Sequence, residues 1–209
     1  MNNAASEPLQ AVEERDPLET FHAPPAAGTL GTWLFIAGLA IAFAWLLYGY
    51  SVTRSHTPVV GLTVPVWFWF STFALLVSSV TLHWSYLSAK MGRATVAGYA
   101  LRLSTALGWV FALLQAPGLI ELLGMHRQAA ETTSPGGGGG AAAYMLLFVL
   151  VALHSLHALG GLTRMTILNR RAYRDTATDN GAAHLKQMCL FWHFLAIVWV
   201  VMFGVLLWK

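Results

Sequence analysis

The chain has 209 residues, 56% of them hydrophobic and only 10% charged, with nine tryptophans and a formal charge of +3. Soluble domains carry about 25% charged residues, so the composition excludes an ordinary water-soluble globule and points to a bilayer protein. The positive charge lies in short basic clusters and implies no nucleic-acid partner, and the single Cys189 excludes an intrachain disulfide.

Residues 1–27 are polar and acidic, holding Glu7, Glu13, Glu14, Asp16 and Glu19 together with Pro8, Pro17, Pro24 and Pro25. They lack the basic start and apolar run of a cleavable signal peptide. They read as a disordered arm leading into an uncleaved signal anchor. Crossing a hydrocarbon core of about 30 Å takes roughly 20 apolar residues. Five segments qualify, at about 30–50, 66–88, 98–123, 142–165 and 187–208. The expected fold is therefore all-α, a polytopic bundle of five transmembrane helices.

The first and last segments hold no charged residue. The third has Arg102 near its start and Glu121 near its end, where long side chains snorkel to the headgroups. Pro117 removes one backbone donor there and predicts a kink that neighbouring helices must compensate. "TTSPGGGGG" (Thr132 to Gly140) predicts a flexible linker between the third and fourth segments. Trp33, Trp67, Trp69, Trp84 and Trp208 fall near segment ends, as an interfacial aromatic belt requires. One set of loops carries Lys90, Arg93, Arg170, Arg171, Arg174 and Lys186, whereas the other holds Arg54 and Arg127. Basic loops stay on the cytoplasmic side, which predicts the amino terminus inside and the carboxyl terminus outside.

Polar residues within the segments are the candidate functional groups. Ser71, Thr72, Ser78, Ser79 and Thr81 on the second segment suit close helix approach and interhelical hydrogen bonds, and Gln115 on the third suits the same role. His154 and His157 share one face of the fourth segment, since residues three apart are neighbours on a helix. His157 precedes Arg164 by seven residues and His193 follows Lys186 by seven, so both lie about 10 Å inside the same boundary. His83 lies nearer that boundary. Two histidines at one depth on different helices could flank a haem or bond each other and nearby hydroxyls. A two-haem cytochrome wants four axial histidines, and His154, His157 and His193 are an odd set. No Asp or Glu lies at mid-membrane to complete a metal site or a proton path.

Four stretches then carry a family resemblance, in order and over nearly all of Trp33 to Trp208. They are "LFIAGLAIAFA" (Leu34 to Ala44), "STFALLVSSVTLHW" (Ser71 to Trp84), "HSLHALGG" (His154 to Gly161) and "FWHFLAIVWVVMF" (Phe191 to Phe203). The chain resembles subunit III of the haem-copper terminal oxidases, the cytochrome c and quinol oxidases, in a five-helix form. Trp192, His193, Phe194 and Trp199 match its Trp-His-Phe-x-x-x-x-Trp element, and Gln115 matches its third-helix glutamine. Its usual carboxylates are absent: Leu39, Gly118 and Ala196 stand in their places.

The resemblance implies a non-catalytic accessory subunit of a bacterial inner-membrane respiratory oxidase, with haem and copper in partner subunits and none in this chain. Subunits I and II, phospholipids and a larger respiratory supercomplex are the implied partners, in aerobic electron transport coupled to proton pumping. His154, His157, His193, Trp192, Gln115, Ser71, Thr72 and His83 become candidates for an interhelical polar network or for lipid and subunit contacts. The alternatives are a haem b-binding membrane cytochrome using His157 and His193, or an accessory protein of nitric oxide reductase.

Overall fold

A computed structural model describes residues 25–56, 64–132, 139–172 and 180–207. All five expected crossings are helices, each long and apolar enough to span a membrane: α1 (Pro25–His56), α2 (Val66–Lys90), α3 (Ala94–Thr132), α4 (Gly139–Ala172) and α5 (Asn180–Leu207). Every helix outruns its apolar stretch at one end or both. Once nucleated, a helix gains one hydrogen bond for each residue it adds, so it ends where capping favours an end and not where hydrophobicity stops. α3 is the extreme case, with 39 residues and a length of about 58 Å at 1.5 Å per residue.

Two expected boundaries move as a result. Pro25 opens α1 inside the segment expected to be an unstructured arm. Proline suits the first turn of a helix, where its missing N–H would have no partner anyway. Thr132 closes α3 and Gly139 opens α4, so both ends of the expected glycine-rich linker are helical. Residues 1–24 and 133–138 lie outside the described residues.

The turn between α2 and α3 has the tightest local logic. Gly92 takes φ +72°, the left-handed conformation that glycine adopts without steric cost. Its N–H bonds Ala89 O at 3.0 Å, and the Arg93 N–H bonds Ser88 O at 2.9 Å. This is the paired closure that satisfies the last carbonyls of a helix. It turns the chain back on itself within three residues, so α2 and α3 pack antiparallel along their length.

α2, α3, α4 and α5 form a four-sided bundle in which each packs against two of the others, and α1 lies against α4 and α5 on the outside. Trp192 and Trp199 of α5 are wholly buried in its centre, with Phe68, Phe111, Leu75 and Leu150. Glycines make room for Trp192. A Cβ on Gly161 would sit 3.1 Å from its ring, and one on Gly108 would sit 3.2 Å from it and overlap Leu162. Lipid tails are as apolar as leucine, so close approach of small residues, and not expulsion from water, draws such helices together.

Candidate functional site

The polar interior is a seam running down α2 where it meets α3 and α5. At its centre Ser78 and Ser104 clasp each other. Each hydroxyl donates to the other's backbone carbonyl, Ser78 Oγ to Ser104 O at 2.9 Å and Ser104 Oγ to Ser78 O at 2.7 Å. The two oxygens lie 3.2 Å apart. Two turns along, Ser85 Oγ donates to Ala97 O at 2.8 Å. These bonds need side chains short enough to let backbones approach, which is why serines stand here.

α5 enters the same seam through its indoles and one imidazole. Trp192 Nε1 donates to Ser78 Oγ at 3.2 Å, and Trp199 Nε1 donates to Thr72 Oγ1 at 2.8 Å. Thr72 passes its own proton to Phe68 O at 2.6 Å. Thus two large rings that would otherwise bury an unmet N–H are each held by a hydroxyl on α2. His193 Nδ1 lies 2.5 Å from Ser79 Oγ, and its Nε2 lies 3.3 Å from His83 Nδ1. Cys189, one turn before His193, is buried and directs its thiol to Leu82 O at 3.5 Å.

The expected candidates therefore divide. Thr72, Trp192, His193 and His83 join the seam. Ser71 bonds only within its own helix, to Phe68 O at 3.1 Å. His157 does likewise, its Nδ1 meeting Leu153 O at 2.7 Å, while its ring lies 5.9 Å from that of Phe43 on α1. His157 and His193 thus point into different interfaces, one toward α1 and one toward α2. Both nitrogens of His193 are engaged by protein, which leaves it no axial bond to give.

His154 and Gln115 do not enter the network expected of them. Both are buried, and neither has a hydrogen-bond partner among the described residues. His154 packs as an aromatic ring, its centroid 5.2 Å from Trp199 and 6.1 Å from each of Phe43 and Phe111. Edge-to-face and tilted pairs at these spacings are favourable. The rings surrounding it on α1, α3 and α5 leave no hydroxyl within reach.

The three positions at which the resemblance expects carboxylates are packed among apolar groups. Gly118 is buried under Phe68, and even a Cβ there would overlap the phenyl ring. Ala196 is 6% exposed and belongs to the core. Leu39 packs on the core from α1. The Phe68 ring fills the space that any side chain at Gly118 would need. Among the described residues no three His, Cys, Asp or Glu gather in a metal-holding arrangement.

Two cavities open where α1 meets the bundle. One of about 540 Å³ is lined by Gly31, Phe35, His157, Gly160, Arg164 and Phe191, among others, and Arg164 there donates to Gln187 Oε1 at 3.1 Å. The other, of about 560 Å³, lies at the far ends of α1 and α5, where Arg54 donates to Val205 O at 3.3 Å and Tyr50 Oη at 3.4 Å.

Ser104 does not stand out in the sequence, although it clasps Ser78. Its signal was present: a lone serine in an apolar helix, one helix away from a row of hydroxylated residues. Pairing it with Ser78 requires the register of the α2–α3 hairpin, which the Gly92 turn sets.

No family model matches the chain. It is similar to cytochrome bo(3) ubiquinol oxidase subunit 3 of Pseudomonas aeruginosa, 30% identical over 193 residues that cover 88% of this chain and 87% of that protein. The protein of the same name in Pseudomonas putida is 31% identical over 186 residues, covering 84% and 83%. Cytochrome c oxidase subunit 3 of Homo sapiens is 28% identical over 203 residues, covering 90% of this chain and 72% of that protein.

Proposed function

This chain belongs to the subunit 3 family of the haem-copper terminal oxidases, and from that premise we propose that it stands beside subunits I and II of a bacterial inner-membrane oxidase as a non-catalytic helix bundle. Its helices run with the amino terminus inside. Haem and copper reside in the partner subunits, and the oxidase reduces oxygen in aerobic electron transport coupled to proton pumping.

The observation that supports this best is the use of the polar interior. Ser78, Ser104, Thr72, Ser79, Trp192, Trp199 and His193 bond one another or helix carbonyls across helices and present no cluster to a substrate. Such bonds set helix register and rigidity, which is what a supporting subunit needs.

The two cavities along α1 are where phospholipid binds. Each joins apolar walls to one guanidinium, Arg54 in the last turn of α1 and Arg164 about two turns before the end of α4. A lipid supplies the matching pair, acyl chains and an anionic headgroup.

Affinity purification of this chain in mild detergent tests the reading. Haem-containing subunit I and copper-containing subunit II are expected in stoichiometric amounts, with tightly held phospholipid seen by mass spectrometry. Recovery of the chain alone would end the proposal. Loss of bound phospholipid in R164L, with the complex intact, checks the cavity assignment.

A further inference from the structure

His83 sits on the lipid-facing side of α2. Phe73, Leu76, Val80, His83 and Leu87 recur at alternating spacings of three and four residues and are all exposed. This is the spacing of a seam along which a second helix packs lengthwise. The apolar members alone carry no argument, because acyl chains cover them equally well. The histidine differs. It lies seven residues before Lys90, about 10 Å inside the helix end, which makes it level with its partner His193 and deeper than the sequence alone suggests. Its short side chain cannot snorkel to the headgroups as lysine or arginine does.

The hydrogen-bond chain behind it fixes what it offers. Ser79 Oγ, His193 Nδ1, His193 Nε2 and His83 Nδ1 are linked in sequence. Protons can run along this chain in either sense. If His83 donated inward and His193 donated to Ser79, the buried Ser79 hydroxyl would need another acceptor, and it has none among the described residues. If Ser79 donates to His193 Nδ1 and His193 Nε2–H donates to His83 Nδ1, every inner group is satisfied. The second arrangement places the remaining proton on His83 Nε2, which has no protein partner among the described residues. An N–H facing hydrocarbon without an acceptor costs several kcal/mol as a general rule.

We infer that the α2 face centred on His83 is the docking surface for a transmembrane helix of another oxidase subunit, one that presents a hydrogen-bond acceptor to His83 Nε2–H. Ser79 and His193 are positioning residues that set the tautomer and aim the donor. Val80 and Leu87 flank it and exclude water. This rests on the subunit reading above and specifies which face makes the contact.

The test uses the whole oxidase. A photoactivatable benzoylphenylalanine replaces Val80, and His83→Leu and His83→Asn are prepared separately. Irradiation is expected to join this chain to another oxidase subunit. H83L should lower retention of the chain in detergent-purified oxidase by about three- to tenfold, the effect of losing one interhelical bond. H83N, which keeps an N–H donor, should recover most of it. Retention of H83L at the wild-type level, or an adduct only to lipid or to a second copy of this chain, overturns the docking face. If the wild-type chain itself purifies without haem, the subunit reading fails first, so the two failures are told apart.

Discussion

α1 and α2 both cross the membrane on strongly apolar sequences, yet 17% of the apolar window of α1 is buried against 44% of that of α2. α2 spends five serines and two threonines along one helix, and Ser78, Ser79, Ser85 and Thr72 bond α3 or α5. α1 offers the bundle chiefly Phe43 and Tyr50 as buried rings, and Arg54 at its end. Apolar character puts a helix in the bilayer but does not say what it packs against. Small hydroxylated residues do, because they shorten the distance between backbones and leave a bond to be made across the gap. α1 is inserted by its composition; α2 is assembled by its polar minority.

Five substitutions, one of them used only in a double variant, bear on that contrast, read as changes in thermal stability in detergent. W192A, in the bundle centre, should cost about 3–5 kcal/mol, because it empties the space between Gly108 and Gly161 and removes the indole bond to Ser78. G118L should cost about 1–3 kcal/mol by driving a side chain into Phe68. Adding F68A to G118L should return part of the loss, and no recovery would mean that the ring is not the obstacle. S104A breaks one arm of the serine clasp and should cost about 0.6 kcal/mol, the average measured for interhelical bonds in a membrane, and at most about 1.7 kcal/mol. L34A on the outer face of α1 should stay within about 0.5 kcal/mol. A larger effect for L34A than for S104A would break the distinction between the two helices.

Much of the polar seam could be anticipated one helix at a time. Ser78, Ser79 and Thr72 stood out on α2, and Trp192 and His193 stood out on α5, because polar groups are conspicuous in apolar runs. Their partners were not visible in that way. Counting residues from the basic boundary sets His193 level with His157, because it fixes height along the membrane normal, but it says nothing about direction around the helix. The structure turns His193 toward α2 and His157 toward α1. His154 misled for the same reason: a buried imidazole suggested hydrogen bonds, whereas three aromatic rings from three helices enclose it.

Five membrane crossings, their order and the family of the chain follow from local facts, the length of each apolar run and motifs that lie within single helices. These depend on contacts with lipid and with near neighbours along the chain, so position in sequence is enough to decide them. Which helices touch, and therefore that Ser104 meets Ser78, that His83 completes the bond of His193, and that Phe68 covers Gly118, depends on residues 26, 110 and 50 positions apart. Those pairings were settled only when the Gly92 turn set the α2–α3 register and the fit of Trp192 between Gly108 and Gly161 seated α5 against α2 and α4.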